Sequence, residues 1–200
     1  CGFSDMLEGF RRLAECPVLL GEILDVLYYN YDRIDFVDAP VDLGFECPLD
    51  LHCTYSRDQI LAALDFMKPS TVREGTKYLP DKKTDVHFVT LNKAEKDYSP
   101  TTMYEDYSIN EVLFHWQSQS TTSQSSTTGQ RYMNHRSMGV RELLFVREFK
   151  SGKLGAAPYT FLGLADFLSV TGSKPMNITW RLHEPIPAKY LRKTNKLVVG

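Results

Sequence analysis

Val112-Leu113-Phe114-His115-Trp116-Gln117-Ser118-Gln119 alternates in character. On an extended strand, Phe114 and Trp116 face one side while His115 and Gln117 face the other, an apolar face backed by a hydrogen-bonding one. Residues 86–91, 143–149, 159–164 and 176–182 are further β-branched or aromatic runs, each bounded by turn residues. Strands at this density, with no long helices between them, predict a sandwich or barrel. Between two of them lies the polar tract 118–129, rich in Ser, Thr and Gln. Such a tract has little to bury and reads as a mobile loop.

Upstream of these runs the periodicity changes. Met6, Leu7, Phe10 and Leu13 recur at helical spacing, as do Leu19, Leu20, Ile23, Leu24 and Leu27, with Pro17 suited to a first helical turn. The pattern breaks at Asp38-Ala39-Pro40 and stays broken through Gly44 and Pro48. Ser56 and Gln59 then form a capping box, opening a helix over about 56–66. The chain is therefore expected to be α+β. Residues 1–67 form a small helical segment for docking or dimerisation, and residues 68–200 form the β-rich domain.

Charge divides the chain in the same way. Residues 1–60 hold twelve acids against four bases, a balance of −8, whereas the remaining nineteen bases and thirteen acids give +6. An acidic packing segment beside a basic surface able to meet a polyanion is one reading; ordinary solvation is the other. An apolar share of 42% is enough for a packed core. No run approaches the eighteen apolar residues of a membrane span, and no basic-then-apolar leader opens the chain. Cytoplasmic location and reduced thiols are expected for Cys1, Cys16, Cys47 and Cys53. The start at Cys1 rather than Met suggests a piece of a longer polypeptide. Cys47, His52 and Cys53 invite zinc, but only Cys16 lies near enough to complete four ligands. No metal and no cofactor are expected.

Signals for chemistry are weak. A phospholipase-D-type half-site needs His-x-Lys, yet the residues two after the histidines are Thr54, Val89, Gln117, Ser137 and Pro185. Glu148-Phe149-Lys150 has the acid-x-lysine form of a magnesium nuclease, with Asp106 as a candidate upstream acid. The competing reading makes Glu148 and Lys150 the solvent face of a strand. No phosphate-binding glycine loop and no nucleophile elbow occur. The chain is expected to be non-catalytic. The denser feature is aromatic: Tyr104-Glu105-Asp106-Tyr107, then Phe114 to Gln119, then Arg131, Tyr132, His135 and Arg136. Bases interleaved with aromatics suit phosphate contacts and base stacking; core packing of the same rings is the alternative.

The chain resembles a known family through motifs that run along most of its length. They include Thr71-Val72-Arg73-Glu74-Gly75, Thr84-Asp85-Val86, Ser99-Pro100-Thr101-Thr102-Met103-Tyr104-Glu105-Asp106-Tyr107 and Phe114-His115-Trp116-Gln117-Ser118-Gln119. Thr128-Gly129-Gln130-Arg131-Tyr132, Leu144-Phe145-Val146-Arg147-Glu148, Pro158-Tyr159-Thr160-Phe161-Leu162-Gly163 and Lys174-Pro175-Met176-Asn177-Ile178-Thr179-Trp180 complete the set. The resemblance is to the C-terminal domain, long of unknown function, of bacterial proteins joining a phospholipase-D-type nuclease to a superfamily II helicase. Some of these look like type IV restriction enzymes, which cut DNA only when its cytosines are modified. The resemblance implies an SRA/PUA-like β-barrel that flips 5-methylcytosine or 5-hydroxymethylcytosine out of double-stranded DNA. The helicase and nuclease domains of the same polypeptide would be partners, and a homodimer through the helical segment is possible on this reading.

In such a reader Tyr104, Tyr107 and Trp116 are the stacking candidates, Asp106 accepts from the cytosine amino group, and His115 and Gln117 complete the pocket. Ser118 and Gln119 open the loop that enters a groove. Gln130, Arg131, Tyr132, His135, Arg136, Arg147 and Lys174 are the further DNA contacts. A magnesium nuclease built on Glu148 and Lys150, or a protein-interaction module acting through residues 1–66, are the alternatives.

Overall fold

The computed structural model describes residues 5–31, 39–72, 75–92, 106–152, 155–188 and 190–191. Two strands set the architecture: β3 (Thr84–Thr90) and β6 (Arg141–Arg147) run parallel, with Asp85 opposite Glu142 and His87 opposite Leu144. A parallel pair needs cover on both faces, and all seven residues of β3 are buried. β2 (Thr76–Leu79) flanks β3 on one side. On the other side of β6 come β9 (Tyr159–Thr171), β10 (Asn177–Leu182), β5 (Leu113–Gln117) and β4 (Tyr107–Ser108), all antiparallel. The short β1 (Thr54–Tyr55) pairs with the start of β9. A separate two-stranded ribbon, β7 (Ser151–Gly152) and β8 (Gly155–Ala156), follows β6.

The fold is α+β with a large open sheet, which corrects the expected closed barrel. The strand path ends at β2 and β4, and these two strands do not pair. The sheet curls nonetheless. Its register shifts at Leu144/Phe145 and at Thr179/Trp180, and Gly163 sits at φ +90° with the Leu51 side chain against it. Bulges and a left-handed glycine bend strands in this way. Consequently β3 and β5, four places apart in the order, meet across the interior, where the His87 and Trp116 rings lie 4.6 Å apart. Gln119, just past β5, donates to the Thr76 hydroxyl on the far edge strand.

Curling creates two cores. Inside lie Val89, Phe114, Trp116, Tyr132, Leu144, Val146, Ile178 and Trp180. On the outer face Val86, Phe88, Leu143, Phe145 and Phe161 pack under Leu43, Leu49, Ile60, Leu61 and Leu64. Ile60 and Leu61 ride on α3 (Arg57–Ala63) and Leu64 caps its end; the helix starts with the capping box expected at Ser56 and Gln59. Leu43, Leu49 and the α3 residues thus form an outer layer on the sheet. Earlier helices differ: α1 (Met6–Ala14) and α2 (Pro17–Tyr31) contain no buried residue.

Two further expectations are corrected. The tract 118–129 is ordered: its serines and glutamines close hydrogen bonds locally, and α4 (Thr127–Met133) begins within it, capped by Ser126. α5 (His135–Met138) follows. Strand β6 ends at Arg147, so Glu148 and Lys150 lie beyond it and the strand alternation that would set them on one face does not apply. No helix among the described residues is long and apolar enough to cross a membrane.

Candidate functional site

Alternation along β3 points Asp85 and His87 the same way, into the curled interior, and the parallel register brings Glu142 beside them. Asp85, His87 and Glu142 are each at most 1% exposed. Arg131 reaches in from α4 and holds Asp85 with two bonds, Nε to Oδ2 at 2.5 Å and Nη2 to Oδ1 at 3.1 Å. The same guanidinium lies 4.0 Å from the centre of the Tyr78 ring on β2. His87 Nε2 and Glu142 Oε2 are 2.6 Å apart. Trp116, Tyr132 and Trp180 surround His87, with ring centres 4.6 to 5.5 Å away.

Burial sets the protonation states. It lowers His87 to about 3, with the Arg131 charge adding to the effect. Burial also lifts Glu142 well above its ordinary value, and the neighbouring Asp85 charge pushes the same way. The pair is therefore neutral: the Glu142 carboxylic acid donates to His87 Nε2, which leaves the ring proton on Nδ1. Burial lifts Asp85 too, but the Arg131 guanidinium opposes it and keeps an ion pair. Three buried polar atoms, His87 Nδ1, Glu142 Oε1 and Trp180 Nε1, have no hydrogen-bond partner among the described residues. Uncompensated polar atoms of this kind are costly and are uncommon in folded proteins. They supply two donors and one acceptor, the vocabulary of a heterocycle edge. Thr76, Tyr78, Gln119 and Arg131 are half-buried and form the rim of the cluster.

The residues singled out from the sequence divide between this interior and the outside. Trp116 and Tyr132 are core, 4% and 1% exposed, and His135 is buried. His135 Nδ1 donates to Val140 O and its Nε2 accepts from Phe167 N. Ser118 is buried, its hydroxyl accepting from Met176 N. Tyr107 and His115 stack with ring centres 4.7 Å apart, on the opposite face of β5 from Trp116. Gln117 is on that outer face too, donating to Asn177. Asp106 is buried, with Oδ1 accepting from Gln117 N at 2.9 Å. Tyr104 lies outside the described residues.

Gln130 is exposed on α4 and donates to Gln124 O. Arg136 pairs with Asp166, which also bonds His183 at 2.9 Å; the Arg136 bond holds that carboxyl below its usual range. Arg147 donates to Thr90 and Ala157 and covers the Tyr159 ring. Lys174 is exposed in a left-handed turn. Cys47 and Cys53 are in no disulfide, and among the described residues no His, Cys, Asp and Glu side chains are grouped as metal ligands.

Sequence reasoning missed Thr76, Tyr78, Asp85, His87 and Glu142. A signal was present: Asp85 and His87 stand at i and i+2 in the apolar run 84–90, and Glu142 opens the apolar run 143–146. Ionisable residues on the inward face of buried strands are candidates for function.

A family model described as a domain of unknown function (DUF3427) matches residues 49–193. The match takes in α3 and every strand of the large sheet but neither α1 nor α2. No curated protein matches the chain.

Proposed function

Since the chain belongs to the DUF3427 family of domains, we propose that it is the DNA-recognition domain of a modification-dependent, type IV restriction enzyme, reading 5-methylcytosine or 5-hydroxymethylcytosine from a flipped nucleotide. The observation that carries this reading is the charged, aromatic-lined cluster inside the curled sheet, with half-buried Thr76, Tyr78, Gln119 and Arg131 at its edge. An ion pair and three unpartnered polar atoms are expensive to keep in an apolar interior. A flipped base entering through the rim would recover that cost by pairing with them.

The energetics are workable. Flipping costs a few kcal/mol of unstacking and unpairing, and stacking on one ring returns about 1–3 kcal/mol. Tyr78 serves as the stacking ring. Arg131 is the gate: exchanging Asp85 for a DNA phosphate frees a carboxylate to accept from the cytosine amino group. Asp85 takes the role first given to Asp106, because an Asp106 oxygen already holds the β5 backbone. The extra methyl contributes about 0.8 kcal/mol on burial, so discrimination from plain cytosine is modest per site. We read the open, curled sheet as a variant of the SRA/PUA-like architecture. On this reading the domain binds and does not cut. Its partners are modified duplex DNA and the helicase and nuclease domains of the same polypeptide, in the cytoplasm.

Gel shifts with matched plain, methylated and hydroxymethylated duplexes, without metal, test the proposal. The modified duplexes shift at lower protein concentration, and Tyr78→Ala and Gln119→Ala each weaken that binding about tenfold, the loss of one stacked or bonded base contact. Salt-sensitive binding to the plain duplex stays unchanged. Equal affinity for all three duplexes, or cleavage by the chain when magnesium is added, overturns the reading.

A further inference from the structure

Helices α1 and α2 contact each other, and their half-buried residues are Glu8, Gly9, Leu13, Leu20, Gly21 and Ile23. The rest of the hairpin's apolar surface is bare. Phe10 is 61% exposed, Val18 79%, Leu27 58%, Tyr28 65% and Tyr31 66%. A helix that is apolar all round belongs among several neighbours, and α1 gives α2 only one. Eleven large apolar side chains of the two helices are exposed, enough to furnish one face of the roughly 800 Å² that a standard interface takes from each partner.

We propose that this hairpin is the interface with a second copy of the chain, the two hairpins closing into an antiparallel four-helix bundle. Paired centrally, each α2 lies against its own α1, the other α2 and the other α1. The bare face of α1, carrying Met6, Leu7 and Phe10, covers the partner's α2. One pair of opposite charges can meet in this arrangement. The ionised residues of α2 are Glu22 and Asp25, and α1 carries the bases Arg11 and Arg12 besides Glu8, with Asp5 and Glu15 at its caps. Arg12 already bonds Glu8 at 2.6 Å, so Arg11 is the base that meets the partner's acids. A twofold axis makes that contact twice. Because the hairpin lies outside residues 49–193, this interface is an addition to the family domain.

Sedimentation velocity of the whole chain across concentration tests the proposal. A discrete species of twice the 22.9 kDa chain mass is expected at micromolar concentration. Leu24→Glu together with Leu27→Glu gives monomer, with the thermal midpoint of the sheet unchanged. Arg11→Glu and Glu22→Arg each weaken the dimer at least tenfold, and the double variant restores it to within about threefold. Monomer at every concentration, open-ended association without a dimer plateau, or no rescue in the double variant overturns the inference. A monomer that still prefers modified duplex would sink this interface and leave the DNA reading standing.

Discussion

Glu142 and His87 show how burial converts two ionisable side chains into one hydrogen bond. In the unfolded chain Glu142 ionises near 4.5 and His87 near 6.5; in the folded chain Glu142 is raised well above its value and His87 falls to about 3. Between pH 4.5 and 6.5 each state of the pair holds one proton, so the pair's contribution is flat. Above 6.5 the unfolded pair holds none while the folded pair keeps one. Stability then falls with rising pH, by about 1.4 kcal/mol per unit, until Glu142 ionises in place. Below 4.5 the unfolded pair holds two protons, and stability falls again as pH drops towards 3. Glu142→Gln keeps a donor to His87 and has no proton to lose. Urea midpoints measured from pH 5 to 9 should therefore show the variant without the wild-type alkaline decline. Parallel curves would mean that Glu142 is ionised in the fold. The neutral pair was not legible in sequence, because protonation follows from desolvation and desolvation from which strands lie alongside.

Helix α4 illustrates the same limit for an element. The tract 118–129 has the composition of a mobile loop, but its polar groups find partners close by. Ser126 donates to Ser123 O and accepts from Gly129 N, Gln130 donates to Gln124 O, and Gln124 reaches Gly172 O. Composition counts polar groups; it does not say whether they are satisfied. Ser126→Ala should cost about 1 kcal/mol through the lost cap. Gly129→Ala should cost more, because its Cβ would stand 2.1 Å from Ser123 O and 2.9 Å from Met176 Sδ. The helix would have to shift, taking Arg131 away from Asp85. Thermal melts rank the two, and a Gly129→Ala protein as stable as Ser126→Ala would contradict the packing. By contrast, the Ser56–Gln59 capping box was legible because both of its bonds close within three residues.

At the scale of the whole molecule, the sheet with its outer layer is one unit and the α1–α2 hairpin is another. Removing residues 1–38 should leave a single cooperative unfolding transition with little change in midpoint, since no residue of α1 or α2 is buried. Leu61→Ala, at 0% exposure between α3 and the sheet, should cost about 2–5 kcal/mol. Calorimetry separates these outcomes; a large loss on truncation would show that the hairpin supports the sheet. By itself the sequence determined what depends on near neighbours: the first three helices, the capping box, the positions of the main strands and the two faces of β5. Tertiary structure alone decided that the sheet stays open, that β3 and β6 run parallel, and that Asp85, His87, Arg131 and Glu142 meet. Strand order and curl join residues more than forty positions apart, and alternation along one strand carries no information about which other strand lies beside it.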